Sequence, residues 1–349
     1  MLLMHRDNVV YDFSSNDVKN SSLLPYIYAP NGLGLANDLI VWLNHRATTI
    51  KRKHADKIYE SMGIPRDGAG LQLIRITHGL SINDNYWITD TKISEGITWK
   101  DINLFNNKLS ETLSYMALTG TPISIAGDHI SPEFTGRGTY AKCICREQTG
   151  LVLYKAGTNF EIWVEVFASL VANQLGIRSA QYYKSNKFGI NTVASPICTN
   201  EKVSWISAFD STKFFEQNFG MNVYDFAATY FPLPFYQMVV LDGLILNPDR
   251  HLQNWSFELD GYTNQLLGLA PCYDYNRAFT ATRTDMSREI PHKNLLSAAK
   301  EAFPKSGISI DSMINLISLS GSLPKHLQDS FYNRVLYIIG KKSSQDNCY

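Results

Sequence analysis

The sequence lacks an excess of charge of either sign. Its 349 residues include 32 Lys plus Arg and 32 Asp plus Glu, which gives a formal net charge of +0. Attraction to nucleic acid or to an anionic membrane surface depends on accumulated cationic side chains, and this chain has no such global field. We therefore expect neither direct nucleic-acid binding nor association with a membrane.

Long apolar runs are also missing. No stretch approaches the roughly 20 apolar residues that a membrane-spanning helix needs. The opening residues, MLLMHRDNVVYDF, lack the apolar region of a signal peptide. The chain still contains 44% hydrophobic residues, enough for a sizeable core. Together these features predict a globular protein of the cytoplasm.

Cysteine is sparse, with five residues scattered along the chain. An odd number without regular spacing is typical of a reducing compartment rather than of a disulfide framework. Cys143 and Cys145 form a close pair, and on a strand their side chains would share one face. No second pair or histidine cluster accompanies them, so we interpret them as small buried residues rather than zinc ligands.

Residues 1–118 have the pattern of a small α/β module, in which we find no chemistry-bearing motif. The segment 46–62 has the composition of a helix and carries several basic side chains. Acidic residues are interspersed among them, so we interpret these side chains as a solvated helix face. LQLIRITHG, at 71–79, is predicted to be a strand. Helical periodicity returns before Gly120. The role of the module stays open.

The next region is predicted to be strand, loop, strand, turn and strand. Gly136 and Gly138 lie in the loop, and the last strand, LVLYKAG, carries Lys155. Glycine lets backbone amides approach phosphate oxygens closely, and a lysine on an adjacent strand can neutralise them. The loop is weak evidence alone, because glycines between strands commonly mark only a hairpin.

The clearest helix of the chain follows in NFEIWVEVFASLVANQLGI. Its apolar stripe recurs at three-to-four-residue spacing, and Gly176 is a suitable stop. Glu165 lies off that stripe. A carboxylate on a helix behind the sheet can form an ion pair with the strand lysine and hold that lysine in position to bind phosphate. The alternative interpretation is an exposed helical glutamate.

The densest cluster of polar residues in the sequence follows an almost wholly apolar helix, which is predicted over residues 235–246. In LDGLILNPDRHLQNWSF the chain leaves this buried element and presents Asp249 and Asn254, and Asp274 follows a second apolar run. Magnesium prefers oxygen ligands, so an amide oxygen and a carboxylate, completed by ATP phosphates, suit it. A second carboxylate can accept a proton from a substrate hydroxyl. Asp242, within the helix, is interpreted as a structural acid.

These residues occur in the order found in protein-kinase-like folds. NPDRHLQNWSF followed by LAPCYDYNRAF resembles the catalytic and metal-binding motifs of the HipA-like serine/threonine kinases. LVLYKAG and EVFASLVANQLGI resemble that family's lysine strand and N-lobe helix, and the similarity extends over roughly residues 123–279. Pro248 stands where the family usually has threonine, which leaves the neighbouring acid in place.

The resemblance implies a role for each residue of the group. Lys155 would contact the α- and β-phosphates of ATP, and Glu165 would pair with it. Asp249 would be the catalytic base. Asn254 and Asp274 would bind Mg²⁺.

Further contacts are implied by the same resemblance. Arg250 and His251 would keep the shape of the catalytic loop rather than react. Six residues would contact the nucleotide, three as the hinge beside adenine and three in the phosphate loop: Trp205, Ile206 and Ser207, then Gly136, Gly138 and Thr139.

The region 127–142 resembles a SPEFT-type insertion of larger HipA-related bacterial proteins. Some HipA-like kinases switch themselves off by phosphorylating this loop, and Ser131, Thr135 and Thr139 are the candidates here. Phosphate on such a loop would repel the phosphates of ATP.

We thus predict an α+β, bilobal protein-kinase-like fold, with an N-terminal module at 1–118, a β-rich N-lobe at 119–210 and a mainly helical C-lobe at 211–349. The predicted function is ATP- and Mg²⁺-dependent phosphorylation of Ser or Thr in a protein substrate, as the toxin of a HipA-type toxin–antitoxin pair with a helix-turn-helix antitoxin partner. The enzymatic alternatives are a small-molecule kinase and a metal-dependent phosphoesterase. The non-enzymatic alternative is a silent pseudokinase that binds a helix-turn-helix protein.

Overall fold

In a computed structural model of the chain, the described residues form three antiparallel sheets and twelve α-helices. The structure describes residues 1–27, 34–49, 51–61, 63, 69–90, 96–123, 131–135, 138–281 and 285–341. The strands are β1 (Leu2–His5), β2 (Asn8–Asp12), β3 (Asp17–Val18), β4 (Tyr86–Thr89), β5 (Lys142–Glu147), β6 (Gly150–Ala156), β7 (Tyr183–Lys187), β8 (Ile190–Pro196), β9 (Val203–Ser207), β10 (Ser256–Asp260) and β11 (Leu266–Leu269). The helices are α1 (Leu35–Arg46), α2 (Ala55–Ser61), α3 (Ala69–Ile76), α4 (Trp99–Ile102), α5 (Glu111–Thr119), α6 (Asn159–Gln174), α7 (Ala208–Phe219), α8 (Val223–Tyr230), α9 (Pro232–Ile245), α10 (Leu295–Ala302), α11 (Ile310–Asn315) and α12 (Lys325–Ile338). This composition confirms the predicted α+β class.

The N-terminal sheet has the strand order β3-β2-β1-β4, and α1 packs against α3 beside it. The predicted strand at 71–79 is wrong, because most of this segment forms α3. On a strand, Leu71 and Leu73 would share one face. Instead Leu71 is 39% exposed while Leu73 and Ile74 are buried, a spacing that fits a helix packed on a neighbouring helix.

The predicted helix at 46–62 is also wrong in its bounds. Helix α1 ends at Arg46, and α2 begins only at Ala55, after His54 in a left-handed conformation with φ 68°. Two of the basic residues in this segment, Arg46 and Arg52, are buried rather than solvated. Each is paired with a buried carboxylate, which the composition of the segment did not reveal.

The second sheet has the order β5-β6-β8-β7 and confirms the predicted strand LVLYKAG. Strands β5 and β6 pair so that Lys142 lies opposite Lys155. Helix α5 packs against β5 and β6, while α6 packs against β7 and β8. Helix α6 begins with a capping box between Thr158 and Glu161, which satisfies backbone N–H groups of its first turn.

The third sheet, β11-β10-β9, leads into the helical C-terminal part. Helix α9 begins at Pro232, so the prolines expected to precede it form its first turn. Its side chains from Val239 to Ile245 are buried all round. A Cβ atom at Gly243 would lie 2.3 Å from the Cβ atom of Ala299, so only glycine permits this approach of α9 to α10.

One apolar core connects the sheets and the helices. It includes Leu3 and Leu43 near the N-terminus, Phe167 on α6, Phe257 on β10 and Phe331 on α12. The predicted domain boundaries at 118 and 210 remain predictions, and the second falls inside α7. Within the described part of the chain, no helix is both long and apolar enough to cross a membrane.

Candidate active site

Lys155 is held between two carboxylates. Its Nζ atom donates to Glu165 Oε1 at 2.7 Å and to Asp274 Oδ1 at 2.5 Å. Burial acts to lower the pKa of Lys155, but Asp274 and Glu165 outweigh it and raise that pKa above its ordinary value. The lysine is therefore a fixed cation, placed where strand β6, helix α6 and the chain after β11 meet.

Glu165 is buried, at 1% exposure, and not an exposed helical acid. Its flank of α6 is also occupied by Ala168 and Ala172, and both are fully buried. Glu165 Oε2 accepts the backbone N–H of Tyr275 at 2.9 Å. The carboxylate thus joins the lysine strand to the residue that follows Asp274.

Asp274 has a left-handed backbone with φ 61°. Its N–H donates to the Tyr182 hydroxyl at 3.2 Å. Burial acts to raise the pKa of the Asp274 carboxyl, but Lys155 outweighs this and lowers it below its ordinary value. The carboxylate is consequently ionised and available as a hard oxygen ligand.

Residues 247–254, here called the Asp249 segment, begin at the end of α9. Asn254 Nδ2 donates to the Asp249 carbonyl oxygen at 2.8 Å, which leaves the amide oxygen of Asn254 for another partner. The Asp249 side chain is 35% exposed. One carboxylate therefore faces solvent beside a fixed amide.

Arg250 and Asp242 hold the Asp249 segment from behind. Arg250 donates to both carboxylate oxygens of Asp242, at 2.8 and 2.9 Å, and both side chains are 1% exposed. Its Nη1 atom also donates to the carbonyl oxygens of Asn254 and Tyr273, at 2.6 and 2.7 Å. This pair connects α9, the Asp249 segment and the residue before Asp274, and both residues have the buried surroundings expected of scaffold.

His251 lies at the rim. Its Nδ1 atom accepts the backbone N–H of Gln253 at 3.2 Å, and its Nε2 atom lies 3.9 Å from Asp249 Oδ1. The histidine thus contacts its own segment, as a scaffold residue would.

These groups line one cleft with a cavity of about 660 Å³. The predicted site residues among its lining are Gly138, Thr139, Lys155, Trp205, Ile206, Ser207, Asp249, Asn254 and Asp274. Glu165 lies behind Lys155, outside this lining. Gly136 lies outside the described residues.

The oxygen atoms of Asn254 and Asp274 fit a magnesium ion. Both residues offer hard oxygen donors, and few protein ligands are needed where phosphates and water complete the shell. In the described part of the chain, no cluster of three or more His, Cys, Asp or Glu forms a metal site made of protein ligands alone.

The predicted hinge, residues 205–207, lies on β9. The Trp205 ring stacks on Tyr273 with centroids 5.4 Å apart and an angle of 16°. The Trp205 backbone N–H donates to the Asn83 carbonyl oxygen at 2.6 Å. The N-terminal module thus occupies one hydrogen-bonding group of the predicted hinge.

Sequence reasoning missed Lys142. It lines the cleft opposite Lys155 on the neighbouring strand. Burial, together with the charges of Arg52 and Lys155, lowers the pKa of Lys142 to about 7. Strand pairing could have indicated this second lysine, but only with the register of the turn between the strands known.

The contribution of the N-terminal module to the cleft was also missed. Its residues 81–84 line the cavity, as do His45 and Arg46. His45 Nδ1 lies 3.0 Å from Asp210 Oδ1 on α7. No motif in the module signals these contacts, because they depend on how it packs against both other parts of the chain.

No protein-family model and no curated protein matches the chain. Solved structures are similar to it, including the following two. HipA in the Shewanella oneidensis MR-1 HipA, HipB and operator DNA complex aligns with 97% of this chain and 96% of its own, at 14% identity and a TM-score of 0.50. The Helicobacter pylori proinflammatory kinase CtkA aligns with 57% of this chain and 90% of its own, at 14% identity and a TM-score of 0.40. Because HipA is matched along almost its whole length, the chain shares the fold of this HipA protein.

Proposed function

We propose that this protein is an ATP- and Mg²⁺-dependent protein kinase that transfers the γ-phosphoryl group to Ser or Thr hydroxyls. The observation that carries the proposal is that Lys155, held from behind by Glu165, contacts Asp274 in one cleft with Asp249 and Asn254. A phosphoesterase needs neither a strand lysine nor its buried glutamate partner. Lobes at 119–210 and 211–349 would enclose the nucleotide.

Each residue has a role that its surroundings support. Lys155 neutralises the α- and β-phosphates, and Glu165 orients it. Asn254 and Asp274 would hold Mg²⁺, which would supply neutralisation of charge on the transferring phosphoryl group. Asp249, the partly exposed carboxylate, orients the acceptor hydroxyl and takes its proton. Catalysis then depends mainly on positioning and charge neutralisation.

The nucleotide base would bind at Trp205, Ile206 and Ser207. Gly138 and Thr139 would approach the phosphates. Lys142 adds a second lysine to the cleft, opposite Lys155 in the strand pairing, and it is charged below about pH 7.

Autophosphorylation of the loop would depend on which hydroxyl is accessible. The Ser131 hydroxyl caps a short 3-10 helix and the Thr135 hydroxyl donates to the Pro132 carbonyl oxygen, and both residues are buried. Thr139 is exposed and lines the cleft. Thr139 is therefore the acceptor that needs no prior movement, whereas Ser131 and Thr135 require residues 131–135 to leave their packed position.

The biological setting is proposed from the HipA fold. The similar Shewanella protein belongs to a toxin–antitoxin system and is seen with HipB and operator DNA. By analogy, this chain would act in the cytoplasm as a toxin held by a helix-turn-helix antitoxin, without contacting DNA itself.

The test is incorporation of labelled γ-phosphate from ATP and Mg²⁺ into the chain itself and into proteins of a bacterial lysate. We expect Asp274→Asn and Lys155→Met each to lower incorporation at least about 100-fold, since charge stabilisation of the transferring group is lost. Glu258→Gln, which alters a partner of the exposed Arg178, is the control. Incorporation by Lys155→Met at the wild-type level would remove Lys155 from the assigned site, and release of phosphate by the wild type without incorporation would favour a phosphoesterase. Nucleotide binding by the wild type without incorporation would favour the pseudokinase alternative.

A further inference from the structure

Glu133 is a buried carboxylate in a loop. It lies in the short 3-10 helix Pro132–Phe134 and is 2% exposed. Removing a carboxylate from water costs several kcal/mol unless charged and hydrogen-bonding partners compensate. The partners that compensate the buried charge of Glu133 therefore indicate which parts of the chain this residue holds together.

Three separate parts of the chain supply those partners. Arg52 Nη2, from the N-terminal module, donates to Glu133 Oε2 at 2.8 Å. The backbone N–H of Ile144, on β5, donates to Oε1 at 2.7 Å. The Ser114 hydroxyl, on α5, lies 3.5 Å from the same oxygen. Glu133 thus connects the module to the strand next to the lysine strand.

Arg52 binds the chain on both sides of Gly138. Its Nη1 atom donates to the Glu133 carbonyl oxygen at 2.9 Å, and Nη2 also donates to the Lys142 carbonyl oxygen. The neighbouring Lys53 N–H donates to the Thr139 carbonyl oxygen at 2.9 Å. The Arg52 side chain is 1% exposed, so its planar donors are fixed in direction.

We propose that the Arg52–Glu133 pair is a positioning element for nucleotide phosphates, through which the N-terminal module holds residues 138–142 beside Lys155. The inference rests on the proposed function. Neither residue is a catalytic residue, because both act through the loop that they hold. A loop fixed before ATP arrives loses less conformational entropy on binding, which increases affinity for the phosphates.

The effect should be specific to phosphate, which gives a readout that general destabilisation would not share. We would measure the dissociation constants of adenosine and of a non-hydrolysable ATP analogue with Mg²⁺ for the wild type and for Glu133→Gln. Glutamine keeps an oxygen for Ile144 but loses the charge that fixes Arg52. We expect the ATP analogue to bind about tenfold more weakly and adenosine to bind unchanged.

Glu289→Gln is the matched control, since Glu289 is likewise a buried glutamate, bonded to Ser287 in the C-terminal part and absent from the cleft lining. It should leave both dissociation constants within about twofold, because it touches no part of the loop. Backbone amide hydrogen exchange at residues 138–142, without nucleotide, should be faster in Glu133→Gln than in the control.

Arg52→Lys provides a second variant, since lysine keeps the charge but cannot bind Glu133 and Lys142 with a planar fork. Equal affinity of wild type and both variants for the ATP analogue would overturn the inference while leaving the proposed function intact. A parallel loss of adenosine binding would also overturn it, because the effect would then be global. Failure of the wild type to bind the ATP analogue would refute the proposed function, and the inference with it.

Discussion

The Asp249 segment and residues 131–135 and 138–142 contribute to the same cleft, but different kinds of partner hold them. In the Asp249 segment, Asn254 lies five positions from its partner Asp249 and Arg250 lies eight positions from its partner Asp242, while one hydrogen bond of longer range joins Arg250 to Tyr273, 23 positions away. The partners that Arg52 contacts around the loop lie 81 and 90 positions away from it. One side of the cleft is therefore specified by a local motif, and the other forms only when distant parts of the chain have packed together.

The largest expected effect comes from Asp249, on the side of the cleft that the local motif specifies. Asp249→Asn should lower the rate of phosphoryl transfer about 1,000-fold, because the amide cannot accept the proton of the acceptor hydroxyl. Nucleotide affinity and thermal stability should stay the same, since the side chain is 35% exposed, the shorter Asn254 hydrogen bond is to the backbone of residue 249, and the asparagine oxygen can still accept the longer one at 3.5 Å. Initial rates, titration of nucleotide and thermal melting check the three expectations. A rate within tenfold of wild type would remove Asp249 as the base.

The second prediction tests whether the stability of the Asp249 segment depends on the buried Arg250–Asp242 pair. Asp242→Ala leaves the Arg250 guanidinium buried without a counter-ion, so the free energy of unfolding should fall by about 3 kcal/mol. Denaturant unfolding gives this value. Glu258→Ala, which removes the partner of the exposed Arg178, is the comparison and should cost less than about 1 kcal/mol. Similar losses for the two variants would contradict a special role of the buried pair.

The smallest expected effect is a pH dependence of nucleotide affinity that comes from Lys142, on the side of the cleft formed by long-range packing. Because the pKa of Lys142 is lowered to about 7, its charge is present below that pH and lost above it. If Lys142 faces the phosphates, affinity for the ATP analogue should fall as pH rises, by up to about tenfold per pH unit above 7. Lys142→Met should flatten the profile between pH 6 and 8.5. An unchanged slope in this variant would assign the pH dependence to another group.

The sequence predicted the elements of the site well where a motif lies on a strand or helix with a clear residue pattern. The lysine strand, the glutamate helix and the apolar helix before Asp249 lie where their patterns indicated. It failed at 71–79, where a short apolar run fits a strand or a helix equally and only packing against α1 decides. It also gave no sign that Arg46 and Arg52 are buried, since their carboxylate partners are 38 and 81 residues away.

By itself, the sequence determined the residue types at the centre of the cleft and their order along the chain. Asp249, Asn254 and the Arg250–Asp242 pair lie within a few helical turns of one another, so their geometry follows from local backbone structure. Only the tertiary structure decided that Lys155 contacts Asp274, 119 residues away, and that the N-terminal module holds the loop through Arg52. Side-chain patterns report which face of an element is buried, but not which distant charge compensates a buried one.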